Sequence, residues 1–329
     1  MKFKLEAKMN VIETENLTKI FGRKLIAVNN VNLSVKEASI YGFLGPNAAG
    51  KTTTIRLLLG LIKPSAGNIK IFDEEMTFNS SHLRRRIGYL PTNPKFPPKM
   101  TPIKYLNFIG KIFCLSNEVR TPRLSKLIRA VDLLPAASRE IKGFSTGMTT
   151  RLGIAAALMN DPELLILDEP TAGLDPSGRK STLELIKELG REKTIFLSSH
   201  ILSDIDRICT HIGVINQGKI IFSGPIKDMK LIRSNSIQLE VDGDIDTFCG
   251  KLKSIEGIAS FERRGGYSLE IDFYPGVSIP KVIIDLMKLV SACKLELLSV
   301  NTTTSQIEDA FLKLVEEEED HGFLRAIKS

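Results

Sequence analysis

The stretch Ser39-Ile-Tyr-Gly-Phe-Leu-Gly45-Pro-Asn-Ala-Ala-Gly50-Lys51-Thr52, with its continuation Thr53-Thr-Ile-Arg-Leu-Leu-Leu-Gly-Leu-Ile62, decides how the rest of the chain is read. Ser39–Gly45 is apolar and reads as a buried strand, and Lys51–Ile62 reads as the helix that follows. Between them, Gly45, Pro46, Asn47, Ala48, Ala49, Gly50, Lys51 and Thr52 fit the pattern G-x-x-x-x-G-K-[S/T], with Thr53 in the same first helical turn. A strand, a loop bounded by glycines and a helix form an anion cradle. Backbone N–H groups of the loop and the positive end of the helix face the phosphates. Lys51 supplies a point charge to those phosphates, and the Thr52 hydroxyl is a candidate Mg²⁺ ligand.

Leu164-Leu-Ile-Leu-Asp168-Glu169-Pro170 is the second informative stretch. Four aliphatic residues followed by two carboxylates describe a strand whose acids emerge at its carboxyl end, where open α/β sheets place their ligands. Asp168 is expected to hold the metal through its coordination shell, and Glu169 to orient and deprotonate an attacking water. Thr194–Ser198 reads as a further strand, followed by His200, and the turn Pro64–Gly67 leads into strand Asn68–Phe72. Such strand–helix alternation over the first two-thirds of the chain predicts an α/β fold with a mostly parallel sheet covered by helices. Residues 91–153 break the rhythm. The Pro-rich loop Pro91–Met100 gives way to helical patterns at Tyr105–Cys114 and Leu124–Leu134, a helical insertion between strands.

In this order the motifs resemble those of the ABC transporter ATPases. Phe144-Ser145-Thr146-Gly147-Met148, continued by Arg151-Leu152-Gly153, is similar to the family's signature motif in the variant common among exporter ATPases. Thr171-Ala-Gly-Leu-Asp175-Pro176 resembles the loop that crosses the dimer interface, His200 matches the switch histidine, and Phe21, followed by Gly22, matches the aromatic that stacks on adenine. The resemblance covers residues 10–232 and implies a nucleotide-binding domain with a P-loop NTPase core that uses ATP and Mg²⁺. It makes Lys51, Glu169 and His200 the catalytic residues. Nucleotide contacts would come from Phe21 and residues 45–53, with Ser145, Gly147 and Asp175 acting across a dimer. The metal would be held by Thr52, Asp168 and the position of Thr92. The resemblance further implies dimerisation with itself or a homologous subunit, and a separately encoded membrane-spanning permease. It places the chain in the cytoplasm, peripheral on the inner face of the cell membrane.

Three positions depart from the family pattern. Ala48 stands where glycine is usual, and its methyl is expected to require a negative φ. Thr92 occupies the place of a Gln or Glu that contacts the metal and couples the site to the permease; it is shorter and neutral, and Asn93 is the neighbour that could compensate. Thr150 replaces the Gln or Arg usual after the signature.

Beyond residues 229–234 the pattern changes. Strand Ser236–Val241, helix Ile245–Ile255, a hairpin of Ile258–Arg263 and Tyr267–Phe273 around Gly265-Gly266, helix Ile279–Val290 and strand Lys294–Val300 follow in turn. The order β-α-β-β-α-β predicts a small ferredoxin-like two-layer domain over residues 234–329. A last amphipathic helix is expected from Thr304 to about Glu317, before an acidic cluster. Ile307-Glu-Asp-Ala-Phe311-Leu is similar to the usual ending of the drug, polysaccharide and lipid exporter branch.

Composition sets wide bounds. The 329 residues carry a formal charge of +7 with 43% hydrophobic residues, enough for real cores. The mild basic excess suits nucleic acid, an anionic membrane or a nucleotide, and equally a mixed soluble surface. Cys114, Cys209, Cys249 and Cys293 are scattered without metal-ligand spacing, which fits reduced thiols. The N-terminal run lacks the apolar core of a signal peptide, and no stretch reaches the roughly 18 apolar residues a membrane span needs. A soluble ABC ATPase working on ribosomes or nucleic acid is the first alternative. The single phosphate loop, and an interval from Lys51 to Ser145 too short for a long coiled coil, argue against it, so no nucleic acid is expected. A non-hydrolysing regulatory cassette, motivated by Ala48 and Thr92, is the second.

Overall fold

A computed structural model describes residues 9–22, 24–231, 236–252, 254–274 and 277–302. The expected last helix and its Ile307–Leu312 motif lie outside the described residues. The chain divides into two compact units, with the boundary between Ile226 and Lys227.

The first unit opens with the hairpin β1 (Asn10–Phe21) and β2 (Leu25–Lys36), then β3 (Ile40–Leu44) and α1 (Lys51–Leu58). β4 (Ala66–Ile71), the short β5 (Glu74–Glu75), α2 (Ser81–Arg85) and β6 (Ile87–Leu90) follow. The helical stretch comprises α3 (Pro102–Ile112), α4 (Asn117–Ala130) and, after two 3₁₀ turns, α5 (Thr146–Ala157). The chain then alternates through β7 (Leu164–Asp168), α6 (Pro176–Leu189), β8 (Thr194–Ser199), α7 (Leu202–Ile208), β9 (His211–Asn216) and β10 (Lys219–Pro225), with α8 (Ile226–Leu231) at the boundary.

Among the described residues, one sheet has the order β10-β9-β3-β8-β7-β6 and is parallel except for the edge pair β10–β9. A separate antiparallel sheet has the order β2-β1-β4-β5. Every residue of β3, β7 and β8 is buried, as strands covered on both faces must be. Ile55, Leu57 and Leu58 of α1 share one buried cluster with Phe43, Ile166 and Phe196 of the parallel sheet and with Ile12, Val31 and Ile69 of the antiparallel one. The helix carrying the phosphate-loop lysine is therefore gripped by both sheets.

Several element boundaries differ from expectation for visible reasons. α1 stops at Leu58, not Ile62, because Gly60 takes φ +64° and the amides of Gly60 and Leu61 fold back onto the carbonyls of Leu57 and Arg56. That is a Schellman C-cap, and the apolar residues beyond it only look helical. α4 begins at Asn117 and runs through Pro122 in its second turn, giving up one ladder hydrogen bond there, while Arg120 ties the helix start to Asn107 and the Leu115 carbonyl. It ends at Ala130 in the same kind of cap, with Asp132 at φ +54°. The helical stretch also runs on to Ala157 rather than closing at Gly153.

The second unit contains β11 (Ser236–Asp242), α9 (Ile245–Leu252), β12 (Ile258–Arg263), β13 (Ser268–Phe273), α10 (Ile279–Ala292) and β14 (Glu296–Thr302). Its sheet is antiparallel in the order β12-β13-β11-β14, the arrangement of a ferredoxin-like sandwich. Alternate residues Leu239, Val241, Leu269 and Ile271 join Phe248, Leu252, Val282 and Leu286 of the helices in its own core.

Candidate nucleotide-binding site

The loop between β3 and α1 is shaped by two glycines. A Cβ at Gly45 would lie 2.3 Å from the Ile215 carbonyl oxygen, and one at Gly50 would lie 2.4 Å from that of Ala27. Gly50 also caps α1 at φ +110°, a conformation closed to most side chains. Ala48 corrects the expectation stated above: its φ is +65°, not negative. The turn demands this conformation, and Ala48 is exposed, so the methyl meets solvent and the residue bears only the intrinsic left-handed cost of about 1–2 kcal/mol.

The ends of β3, β7 and β8 bring the remaining polar residues together. Lys51, 6% exposed, donates from Nζ to the carbonyls of Gly45 (2.7 Å) and Pro46 (3.0 Å) and pairs with Glu169 Oε1 at 3.1 Å. The Thr52 hydroxyl donates to Asp168 Oδ2 at 3.0 Å. Glu169 Oε2 meets His200 Nδ1 at 2.7 Å. With the proton on Nδ1, the imidazole is a donor to the carboxylate there, which fixes the ring's tautomer when neutral. Glu169 itself sits at φ +52°. The Thr92 hydroxyl donates to the Asp168 carbonyl at 3.2 Å, so it is turned toward the strand end.

A cleft of about 760 Å³ opens over these groups. Phe21, Asn47, Ala48, Gly50, Lys51, Thr52, Thr53, Thr92, Glu169 and His200 line it. Gly45, Pro46 and Ala49 form the loop beneath, and Asp168 lies behind Thr52. Phe21, 40% exposed, stands with Leu25, Ile26 and Ala27 as an apolar wall, and Lys19 Nζ lies 5.1 Å from its ring centroid. Such a cleft, with an aromatic at one end and a loop of N–H groups, a lysine and carboxylates at the other, can take a flat base and a polyphosphate together. Thr92 is among the residues that line the cleft and Asn93 is not.

Ser145, Gly147 and Asp175 do not line this cleft. They form a second cluster on the same chain. Ser145 is exposed and caps α5, its Oγ accepting from the Met148 amide, and exposed Asp175 stands at the N-cap of α6. A Cβ at Gly147 would lie 3.9 Å from Leu174 Cδ2, so the signature segment and the Thr171–Asp175 loop are neighbours.

Several site residues escape the motif reading. Gln217 and Gly218 of the β9–β10 turn line the cleft. Asp204, 2% exposed, accepts from Thr171 Oγ1 at 2.6 Å and from Arg179 Nε at 2.5 Å. Ser198, fully buried, contacts both Asp168 and Glu169. The clue to Ser198 is the pair of hydroxyls, Ser198 and Ser199, at the end of a strand buried throughout, since buried polar groups almost always have partners.

Among the described residues no three His, Cys, Asp or Glu side chains converge to hold a metal, and no helix is long and apolar enough to cross a membrane. The Thr52 and Asp168 oxygens are hard donors at the phosphate end of the cleft, the sparse set that suits Mg²⁺ when phosphates and waters complete its shell.

The profile of the ABC transporter family matches residues 28–172. The bacitracin transport ATP-binding protein BcrA of Bacillus licheniformis is 44% identical over 222 residues, 67% of this chain and 71% of that protein. The chain belongs to the ABC transporter family. The linearmycin resistance ATP-binding protein LnrL of Bacillus subtilis is 33% identical over 307 residues, spanning 92% of this chain and 98% of its own. Among solved structures, an ATP-binding subunit of an ABC transporter superposes with a TM-score of 0.61 at 28% identity, over 67% of this chain and 92% of its own. The dimeric post-hydrolysis state of the cassette MJ0796, bound to ADP and Pi, superposes at 0.59 and 25% identity, over 65% and 98%. This ABC protein is thus an ATP-binding and ATP-hydrolysing subunit with a P-loop NTPase core. The MJ0796 cassette is dimeric, and the similar CbiO1 of Clostridium perfringens is part of the ABC transporter complex CbiONQ.

Proposed function

We propose that the chain energises an exporter by closing as a dimer over ATP, with residues 10–232 as the nucleotide-binding domain and 234–329 as an accessory domain. The convergence of Lys51, Thr52, Asp168, Glu169 and His200 on one cleft carries this reading. Lys51 holds the β- and γ-phosphates, exchanging its present pairing with Glu169 for them. Glu169 accepts a proton from the attacking water, and His200 holds that carboxylate and reaches toward the γ-phosphate. Phe21 stacks on the adenine. Thr52 and Asp168, with Thr92 nearby, would hold Mg²⁺, which neutralises phosphate charge when bound.

Ser145, Gly147 and Asp175 are exposed or half-exposed and lie apart from their own cleft, so a second copy or a homologous subunit presents them to the γ-phosphate. Two such sites imply a two-fold, head-to-tail dimer. Export as the direction, and a secreted compound as the cargo, rest on relatives named for bacitracin transport, linearmycin resistance and Nod factor export. The partner is a separately encoded membrane-spanning permease, which places the chain on the cytoplasmic face of the membrane.

Inside-out vesicles carrying the permease and this chain test the reading. They should accumulate labelled cargo with ATP and should not with Glu169→Gln. Equal accumulation with both proteins, or co-purification with ribosomes in place of a membrane protein, would overturn it.

A further inference from the structure

Ser198 lies on β8 directly across from Asp168 of β7 in the parallel register. Its hydroxyl is placed between two consecutive residues of the site. The Glu169 amide donates to Ser198 Oγ at 3.0 Å, and Ser198 Oγ donates to Asp168 Oδ1 at 2.6 Å. A hydroxyl has one proton, so the direction of both bonds is settled: the amide supplies one hydrogen and the hydroxyl passes its own to the carboxylate. Asp168 Oδ2 is held separately by Thr52. The Asp168 carboxylate is thus fixed at both oxygens, one by the helix after the phosphate loop and one by the neighbouring strand.

Glu169 needs the same anchor for a different reason. At φ +52° it occupies a backbone region that disfavours L residues, and the strained turn aims its carboxylate at Lys51 and His200. The amide bond to Ser198 is a fixed constraint on that turn. Ser198 is fully buried, so no water replaces the hydroxyl without rearrangement.

We propose that Ser198 is a positioning residue for ATP hydrolysis, locking the rotamer of Asp168 and the strained backbone of Glu169 with one hydroxyl. This rests on the assignment of Asp168 to the metal and Glu169 to the water. The hydroxyl is fully buried and Ser198 is not among the residues lining the cleft, so its loss should disturb the chemical step more than nucleotide binding.

Steady-state ATPase of the full chain, with ATP binding followed separately by a fluorescent ATP analogue, tests this on Ser198→Ala, Ser198→Thr, Ser198→Val and Glu169→Gln. Ser198→Ala should lower kcat about ten- to a hundredfold, the worth of one or two buried charge-assisted hydrogen bonds, with KM and analogue binding near those of the wild type. Thr and Val have the same shape and differ in the hydroxyl. Ser198→Thr should therefore retain most of the turnover and Ser198→Val should fall to the level of Ser198→Ala. A residue that merely stabilised the fold would lower the melting temperature without splitting kcat from KM or Thr from Val. Unchanged kcat in Ser198→Ala beside an inactive Glu169→Gln overturns the role of Ser198 alone. Full turnover in Glu169→Gln overturns the underlying assignment and this proposal with it.

Discussion

Replacing Arg179 by methionine should destabilise the first unit more than removing the carboxylate it pairs with. Asp204 on α7 is 2% exposed and has two protein donors, Arg179 Nε at 2.5 Å and Thr171 Oγ1 at 2.6 Å. Arg179 is 30% exposed and also donates to Ser203 at 2.8 Å. Arg179→Met leaves a buried carboxylate with one hydroxyl for a partner, a loss of about 3–5 kcal/mol by the measure of broken buried ion pairs. Asp204→Ala strands no buried charge, because the guanidinium can turn to water. It orphans the buried Thr171 hydroxyl, which costs about 1–3 kcal/mol. The double variant should be less unstable than the sum of the two, with a coupling of about 0.5–3 kcal/mol. Urea unfolding followed by far-ultraviolet circular dichroism gives all three values. An Arg179→Met variant within about 1 kcal/mol of the wild type, or less affected than Asp204→Ala, would refute the reasoning. The consequence reaches the site, because Thr171 begins the loop ending at Asp175 and Asp204 lies just beyond His200 in sequence.

Three further outcomes follow from single features. Ala48→Gly relieves a left-handed methyl while loosening the unfolded chain; the two terms nearly offset, so thermal unfolding should shift upward by no more than about 1 kcal/mol with ATPase retained. A large loss of stability would show that the methyl packs. Thr92→Gln should raise permease-stimulated ATPase while leaving nucleotide binding unchanged, because a longer amide can pass beyond the Asp168 carbonyl that Thr92 now holds; unchanged rates would contradict this. Burial pushes the Tyr41 phenol up to about 12, against the Ser223 hydrogen bond that lowers it. The folded state keeps a proton that the unfolded chain releases above pH 10. Stability should therefore fall as pH rises from about 10 to 12, by up to about 1.4 kcal/mol per pH unit from this group. Tyr41→Phe should flatten that decline in a pH series of urea midpoints, and an unaltered slope would rule Tyr41 out as its source.

The parts of the fold legible in sequence are those where local pattern and chemistry agree. Leu164–Asp168 is a strand with the expected boundaries, because a covered parallel strand is apolar throughout and the acids end it. Gly45, Gly50, Lys51 and Thr52 carry their geometry in their residue types. The βαββαβ order of the second unit was readable from period-two alternation, which matches the buried faces of β11 and β13. The misreadings come from caps. Nothing in the apolar run after Leu58 says that Gly60 will turn left-handed, and the helical pattern at Leu124–Leu134 begins where the helix is already under way from Asn117. Ala48 shows that a tight loop can impose a positive φ on alanine when its methyl faces water. The partners of Ser198, Asp204 and Arg179 are not legible for another reason. Their meaning lies in contacts across strands and helices far apart in sequence, and no local pattern encodes which hydroxyl faces which carboxylate.

We propose that Glu169 drives hydrolysis in a closed dimer. Its most direct test is Glu169→Gln, which keeps the shape of the side chain and removes its capacity to accept the water's proton. Turnover and light scattering with Mg²⁺-ATP should be recorded on the same sample. The expected result is no turnover, retained ATP binding, and a dimer that persists as long as ATP is present. Turnover at the wild-type rate, or a variant that binds ATP and stays monomeric, would contradict it.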